Sequence, residues 1–407
     1  MEAGTLIYAL GMGGAFLLFL AALRHYAQRS PFPPESWLVI SGVAYALLQQ
    51  NLFPGLPAAV LSADTVLILL LPILIFASGR SLPAGTLRRE WRAISLFALP
   101  GVVLSMLIIG LPLAGVMGLP WSHGLMFGAA VAATDPSAVG VIFRRFGLPE
   151  RLETLIEGES LFNDGIAIVL FGATTALALG EAMVGVGDLT LRLLWSLAAA
   201  IPLGLLLGWA MGKLVAVWHE QNRFSGLSLT LILCYGSFLL AEHLLHLSGV
   251  ITVLCAALAF RHSRCGHPPA AHAHDSFEAF WDYLNTLAAG VLFFALGSAV
   301  GHHAFFINWV VPLVVILLLL SRAVLVYGGS WLLNRTGSPV PPDWQPVLLL
   351  GGLRGAVSAA LVLLIPPDYP HRIELLCLVF VLIMFTLLVH PPLLQRRLRR
   401  ATLNDGL

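Results

Sequence analysis

The segment from Ala133 to Gly165 places carboxylate, hydroxyl and amide side chains inside two otherwise apolar stretches. These side chains belong to Thr134, Asp135, Glu157, Glu159, Ser160, Asn163 and Asp164. A carboxylate at membrane depth is costly and normally marks an ion or proton pathway. Carboxylate and hydroxyl oxygens are also the ligands that hard cations prefer. The residue types therefore predict a site that binds a proton or a small cation within a membrane.

Two interrupted helices are predicted to carry this site. Asp135 precedes Pro136, and proline removes a backbone donor and disfavours helix at the residue before it. A second apolar stretch, residues 347–364, reads VLLLGGLRGAVSAALVLL and places three glycines around Arg354. Broken helices at membrane depth are tolerated only inside protein or beside a water-filled cavity. A pair of them in corresponding places of two halves indicates a transporter site.

The charges in these segments suggest separate roles. An unpaired buried cation costs several kcal/mol, so Arg354 needs an anion, and Glu159 or Glu157 is the nearest candidate by type. A bridge between Arg354 and Glu159 would leave Asp164 and Asp135 without fixed cationic partners. A buried carboxylate without a partner holds a proton more readily than one in water. Competition between a proton and an alkali cation for one such carboxylate is by itself a one-for-one exchange mechanism.

Neutral oxygens complete the expected cation ligands. Ser160 lies four residues before Asp164, so the two share a helix face. The Thr134 hydroxyl and the backbone carbonyls freed around Asp135 lie beside it in the predicted break. We therefore expect Asp164, Asp135, Ser160 and Thr134 to bind the ion.

Simpler roles for these residues remain open. Asp135 beside Pro136 is also typical of a helix cap. Asp164 is alternatively the structural partner of Arg322, which is itself either structural or directed to the membrane surface. Arg354 is alternatively a gate on the ion path. The function classes left open are a cation/proton antiporter, a transporter of another substrate on the same scaffold, and a channel or intramembrane enzyme.

Composition defines the elements that must position this site. The chain has 407 residues, of which 58% are hydrophobic and 11% charged, whereas a soluble domain has about 25% charged residues. With a mean hydropathy of +0.89, these values predict an all-α polytopic membrane protein surrounded by lipid. The formal net charge is +1, which gives no reason to expect a nucleic-acid partner.

Hydropathy predicts about thirteen transmembrane helices, at a length of roughly 20 residues each. They lie near residues 4–23, 36–53, 61–79, 93–115, 122–143, 151–179, 189–212, 225–245, 249–261, 280–300, 305–333, 344–365 and 371–395. If the seventh is a linker, the first six and the last six form inverted repeats. The two broken helices, the fifth and the twelfth, then correspond and are expected to cross.

Basic residues predict the orientation in the membrane. Of the 22 Lys and Arg residues, Arg322 and Arg354 lie within spans and only Arg192 and Arg372 lie in the loops of one side. The remaining basic residues lie on the opposite side, together with the C-terminal tail. The positive-inside rule places that side in the cytoplasm, and thirteen spans then place the N-terminus outside.

Other chemistry is less well supported. The four cysteines are far apart and form no CxxC pair, which argues against a disulfide framework or a thiolate metal site. The segment 261–275 contains four histidines; we interpret it as a solvated linker, with metal binding or pH sensing as the alternative. The chain has no GxxxxGK[ST], HExxH or GxSxG motif, so we expect no enzyme activity and no cofactor.

The motifs ATDPSAV, GESLFNDG and GGLRGAVSAAL, in this order and spacing, resemble those of the monovalent cation:proton antiporter-1 family. That family comprises the sodium/proton exchangers of bacteria, archaea and animal cells. The resemblance implies exchange of Na+ (or Li+) for H+, with K+ as the alternative cation. It also implies a homodimer in the cell (inner) membrane, in which an ion-binding core moves like an elevator against a dimerisation domain.

The resemblance also assigns residue roles. Asp164 becomes the essential ion- and proton-binding carboxylate, with Asp135, Ser160 and Thr134 as supporting ligands. Asn163 becomes the neutral member of the Asn-Asp pair of electroneutral one-to-one exchangers, and Glu159 with Arg354 becomes a structural ion pair. The chain departs from many microbial members at Phe76-Ala77, where their third helix reads Phe-Glu. An acidic group near the ion path is therefore missing.

On this basis residues 1–402 form one transmembrane exchanger domain, followed by a short cytoplasmic tail at 403–407. Residues 1–90 and 213–300 are expected to be mainly dimerisation scaffold. Residues 91–180 and 301–402 are expected to be mainly ion-binding core, with 181–212 as the linker helix.

Overall fold

The computed structural model describes residues 3–27, 29–30, 32–53, 61–82, 84–180, 186–218, 223–263, 271–301, 303 and 309–404. All regular secondary structure in these ranges is helical. The predicted tail at 403–407 is described only as far as Asn404, and residues 264–270 of the histidine-containing segment lie outside the described ranges.

The helices follow the chain in the order that hydropathy predicts. They are α1 (Ala3–Ala27), α2 (Pro34–Asn51), α3 (Leu71–Ser81), α4 (Ala84–Met117), α5 (Trp121–Ala132), α6 (Ser137–Phe146), α7 (Glu150–Ala178), α8 (Val186–Trp218), α9 (Arg223–Leu239), α10 (Gly249–Ser263), α11 (Ala271–Gly301), α12 (Val310–Ala323), α13 (Gly329–Arg335), α14 (Gln345–Gly351), α15 (Ala356–Leu363) and α16 (Arg372–Asn404). Short π-helical segments extend three of them, at Thr65–Leu70, Leu240–Leu244 and Val324–Gly328.

When each helix pair joined by a π-segment or a short break is taken as one unit, the described chain forms thirteen helical units. This confirms the all-α fold with thirteen helices. Within the described residues, 8 helices are long and apolar enough to cross a membrane on their own. The fifth unit does not meet that length because it is divided into α5, with 12 residues, and α6, with 10.

Small residues allow the helices outside the site to approach closely, as is common in membrane bundles. Helix α8 packs along α10, where a Cβ on Gly208 would overlap the backbone of Ala256. Helix α2 packs along α11 in the same way, with Gly42 and Gly297 in mutual backbone contact. These contacts do not test the division into scaffold, linker and core, nor the inverted repeats, and both stay predictions.

The bundle that carries the polar residues is formed by α4, α5 and α7, with α15 packed on α5. A Cβ on Gly128 of α5 would lie 2.9 Å from the Met106 Cα of α4, and one on Gly158 of α7 would lie 2.6 Å from Ile94 Cδ1. Because neither glycine has a side chain, α4 lies directly against both α5 and α7.

Both predicted helix breaks are confirmed. Helix α5 ends at Ala132, and Ala133 has extended dihedrals (φ −58°, ψ 138°) before α6 begins after Pro136. Helix α14 ends at Gly351, and α15 begins after Gly355, which is also extended (φ −127°, ψ −157°).

Candidate ion-binding site

The extended segments of the two broken helices cross and bond to each other. The Asp135 N–H donates to the Leu353 carbonyl over 2.9 Å, and the Ser358 hydroxyl donates to the Ala133 carbonyl over 3.2 Å. A Cβ on Gly355 would lie 2.6 Å from the Asp135 Cγ. Glycine at this position therefore lets the second break lie directly against the carboxylate of the first.

Arg354 binds the end of α5 rather than a carboxylate. The side chain is 2% exposed, and its Nη1 donates to the carbonyls of Ala132 (2.6 Å) and Ala133 (3.1 Å). The last carbonyls of a helix have no partner within the helix, and a cation near them is favoured by the helix dipole. The Arg354 main-chain N–H donates to the Thr386 hydroxyl of α16 over 3.1 Å.

Glu159 pairs with Arg322, so the predicted bridge between Glu159 and Arg354 is wrong. Both guanidinium Nη atoms of Arg322 contact the Glu159 carboxylate, the Nη2 at 3.2 Å from Oε2. Arg322 also donates to the Leu348 carbonyl of α14, over 2.6 Å from Nη2 and 3.2 Å from Nε. Arg322 and Glu159 are both buried.

This pairing is not predictable from the sequence, because residue type and approximate depth do not separate two arginines that reach the same region. Gly352 is the local feature that admits Arg322, since a Cβ there would lie 2.8 Å from the guanidinium Cζ. The structural role considered for Arg322 is the one its contacts support. The alternative pairing of Arg322 with Asp164 is wrong, because Arg322 contacts Glu159.

Asp164 lies on α7 opposite the crossing and is 7% exposed. Its Oδ1 is buried and accepts no hydrogen bond from the described residues. The groups that act on the carboxylate electrostatically are the backbone of Thr134 and the charges of Asp135 and Arg354. Asp164 is thus a buried acid that lies near a guanidinium without forming an ion pair with it.

Hydroxyl and amide groups surround the first break. The Ser160 hydroxyl donates to the Thr134 carbonyl. Asn163 donates from Nδ2 to the Thr134 hydroxyl (3.3 Å) and to Glu159 Oε1 (3.4 Å). The Asn163 Oδ1 is buried and has no donor among the described residues.

The structure therefore brings together the residues to which the resemblance assigns roles. Thr134, Ser160, Asn163, Glu159, Asp164 and Arg354 are buried, whereas Asp135 is partly buried at the break. The buried oxygens of Asp164 and Asn163 that accept no hydrogen bond are suited to a proton or a desolvated cation, since an unsatisfied buried polar atom costs about 1–3 kcal/mol. Ser358 and Thr386, which hold the second break, were not selected from the sequence because single hydroxyls in apolar helices are common.

Ala77 occupies the position at which the family resemblance leads us to expect an acidic residue. Ala77 is 6% exposed, and the adjacent Phe76 is fully buried. The Phe76 ring lies against Trp281 of α11, with ring centroids 4.4 Å apart. This part of α3 contributes packing and no charge.

Comparisons with known proteins point to one family. A family model described as "Sodium/hydrogen exchanger, transmembrane" matches residues 15–400. The chain is 32% identical to the Na(+)/H(+) antiporter NhaG of Bacillus atrophaeus over 94% of this chain and 74% of that protein. It is 30% identical to the Na(+)/H(+) antiporter NhaH of Halobacillus dabanensis over 88% of this chain and 89% of that protein.

A solved structure shares the fold. The sodium proton antiporter MjNhaP1 from Methanocaldococcus jannaschii, at pH 8, superposes with a TM-score of 0.79. The match covers 97% of this chain and 99% of that one, at 20% sequence identity. At that identity the match supports only the arrangement of the helices. The assignment to a family rests on the family model and the two relatives.

Proposed function

Because this chain belongs to the sodium/hydrogen exchanger family, we propose that it is a secondary active antiporter that exchanges Na+ (or Li+) for H+ across the membrane. The observation that carries the proposal is the buried Asp164 carboxylate, with an oxygen that accepts no hydrogen bond, beside two crossing helix breaks. Arg322, the other buried arginine of this region, contacts Glu159 instead. Asp164 is therefore available to a transported ion.

Exchange follows from competition at this carboxylate. A proton or an alkali cation neutralises Asp164, and the two exclude each other because they occupy the same oxygens. Asp135, Ser160 and Thr134 supply further oxygens for the cation, the ligand type that suits hard ions. No separate proton relay is needed, since loss of one ion exposes the charge that binds the other.

The neutral Asn163 supports a one-to-one stoichiometry. Asp164 is the only carboxylate of the Asn163-Asp164 pair, and it binds either a proton or a cation. One positive charge therefore moves in each direction per cycle. The cycle we propose is elevator-like, with an ion-binding core moving against the scaffold of a homodimer. The protein would lie in the cell (inner) membrane with its N-terminus outside and its C-terminus in the cytoplasm.

The test is ion exchange in proteoliposomes that contain a pH-sensitive dye. Dilution of a Na+ or Li+ gradient is expected to drive proton movement, and Asp164→Asn is expected to abolish it because a neutral amide binds neither ion. Ser95→Ala, which changes an exposed polar residue on α4, is the control. Proton movement driven by K+, and not by Na+ or Li+, would identify K+ as the substrate in place of Na+.

Two outcomes would contradict the proposal. Sodium-dependent proton movement by a folded Asp164→Asn variant would show that Asp164 is not the residue that binds the exchanged ions. A transport rate that responds to an imposed membrane potential would rule out the one-to-one stoichiometry.

A further inference from the structure

Glu35 is a carboxylate that the mechanism above does not use. It is the second residue of α2, after Pro33 (φ −60°, ψ 148°) and Pro34. The adjacent Ser36 hydroxyl donates to the Pro33 carbonyl over 2.6 Å. The Glu35 side chain is partly buried, and its Oε2 is fully buried without a hydrogen-bond donor among the described residues.

The charged groups that act on Glu35 connect it electrostatically with the candidate site. They are the Asp135 carboxylate at the first helix break and the Arg24 guanidinium. Arg24 lies in the last turn of α1, on the side that the positive-inside rule assigns to the cytoplasm. Glu35 is therefore a buried-oxygen carboxylate at the start of α2, within electrostatic range of both the last turn of α1 and the break that carries Asp135.

A carboxylate in this position favours a cation beside it. An oxygen removed from water without a donor loses its hydration, and a bound cation or proton restores a favourable contact. The like charge of Asp135 strengthens this preference, because two nearby carboxylates repel each other until a positive charge lies between them. Arg24 is exposed, so water screens its attraction for Glu35.

We propose that Glu35 is a positioning residue of the cytoplasmic access path, which attracts the cation and directs it to Asp135. This inference rests on the proposed antiport function and deepens it. Glu35 is contributed by α2, a helix outside the two broken helices and α7. Its charge is expected to act on an ion that approaches from the cytoplasmic side, before that ion reaches Asp164.

The experiment compares Na+-driven exchange in inside-out and right-side-out membrane vesicles. Glu35→Gln is expected to raise the apparent KM for Na+ by about three- to ten-fold when Na+ is supplied at the cytoplasmic face, as expected for loss of one nearby charge. The KM at the outer face and the kcat are expected to stay within about two-fold, because Coulomb attraction falls with distance and Asp164 is unchanged. Glu35→Asp is expected to restore the cytoplasmic KM.

The matched control is Glu153→Gln, which removes a carboxylate from the first turn of α7 and is expected to leave both KM values unchanged. An unchanged cytoplasmic KM in Glu35→Gln would overturn the inference. An equal change at both faces, or a lower kcat with an unchanged KM, would also overturn it and indicate a structural role. Loss of exchange in the wild type would refute the proposed function itself, and that result is separate from these.

Discussion

Arg322 and Arg354 are both buried, but they satisfy different groups. Arg322 neutralises the Glu159 carboxylate and also bonds a carbonyl of α14. Arg354 bonds two carbonyls at the end of α5. The contacts of Arg322 join α12 to α7 through the ion pair with Glu159 and to α14 through the carbonyl. The contacts of Arg354 join the two broken helices, because its guanidinium binds the end of α5. The stability of the site therefore depends on Arg322 for charge balance and on Arg354 for the crossing.

A double-mutant cycle tests this division. Arg322→Met leaves Glu159 buried and unpaired, and we expect it to lower the free energy of unfolding by about 3–5 kcal/mol. Adding Glu159→Gln is expected to recover part of that loss, so the two changes are strongly non-additive. Arg354→Met combined with Glu159→Gln is the control cycle, for which we expect weaker coupling. Unfolding in detergent measures both, and stronger coupling of Glu159 to Arg354 would contradict the pairing seen here.

The membership of the site was predictable from residue type, but its internal contacts were not. Asp164, Ser160 and Asn163 were selected because polar residues at helical spacing in an apolar stretch share a face. The partner of Glu159 depends on where α12 lies, and no local pattern encodes that distance. Gly352, which makes room for Arg322, was selected only as a helix breaker.

At the scale of the elements, the two helix breaks were predictable because proline and glycine act locally. Pro136 ends α5, and glycines surround the gap between α14 and α15. The backbone bond between Asp135 and Leu353 joins residues from opposite halves of the chain. The predicted crossing of the broken helices is present in the structure as direct contact between the two breaks.

Gly355 provides a test of that contact. Gly355→Ala would place a methyl group against the Asp135 side chain, and the overlap forces the two breaks apart. We expect exchange to fall by at least about ten-fold and the free energy of unfolding to fall by about 1–3 kcal/mol.

The control for Gly355→Ala is Gly172→Ala in α7, where a Cβ would have no atom within 4 Å. That change is expected to preserve exchange and to stabilise the helix by up to about 1 kcal/mol. Exchange by Gly355→Ala at the rate of this control would show that close contact between the breaks is not required.

For the whole molecule, thirteen helical units follow from hydropathy because each apolar stretch must satisfy its own backbone within lipid. The packing between units follows from shape. Glycines such as Gly208 and Gly42 allow pairs of helices to touch along their backbones, yet the sequence does not show which helix each will meet. The scaffold, the core and their relative motion remain predictions for that reason.

Cation binding should also stabilise the folded protein, since a ligand that binds only the native state shifts unfolding by mass action. We expect Na+ to raise the Tm of the purified protein relative to choline at equal ionic strength. A concentration of about 100 times the Kd would add about 2.7 kcal/mol. Asp164→Asn is expected to lose this shift, and an equal shift in that variant would mean that Na+ binds elsewhere.

The contact between Arg354 and the carbonyls of α5 has a consequence for ion valence. A guanidinium stays charged at any physiological pH, and these carbonyls do not neutralise it as a carboxylate would. Asp135, Asp164 and Arg354 together carry a formal net charge of −1, which one monovalent cation neutralises and a divalent cation converts to +1. The site should therefore disfavour Ca2+ and Mg2+ relative to Na+, because an uncompensated charge inside the protein costs several kcal/mol.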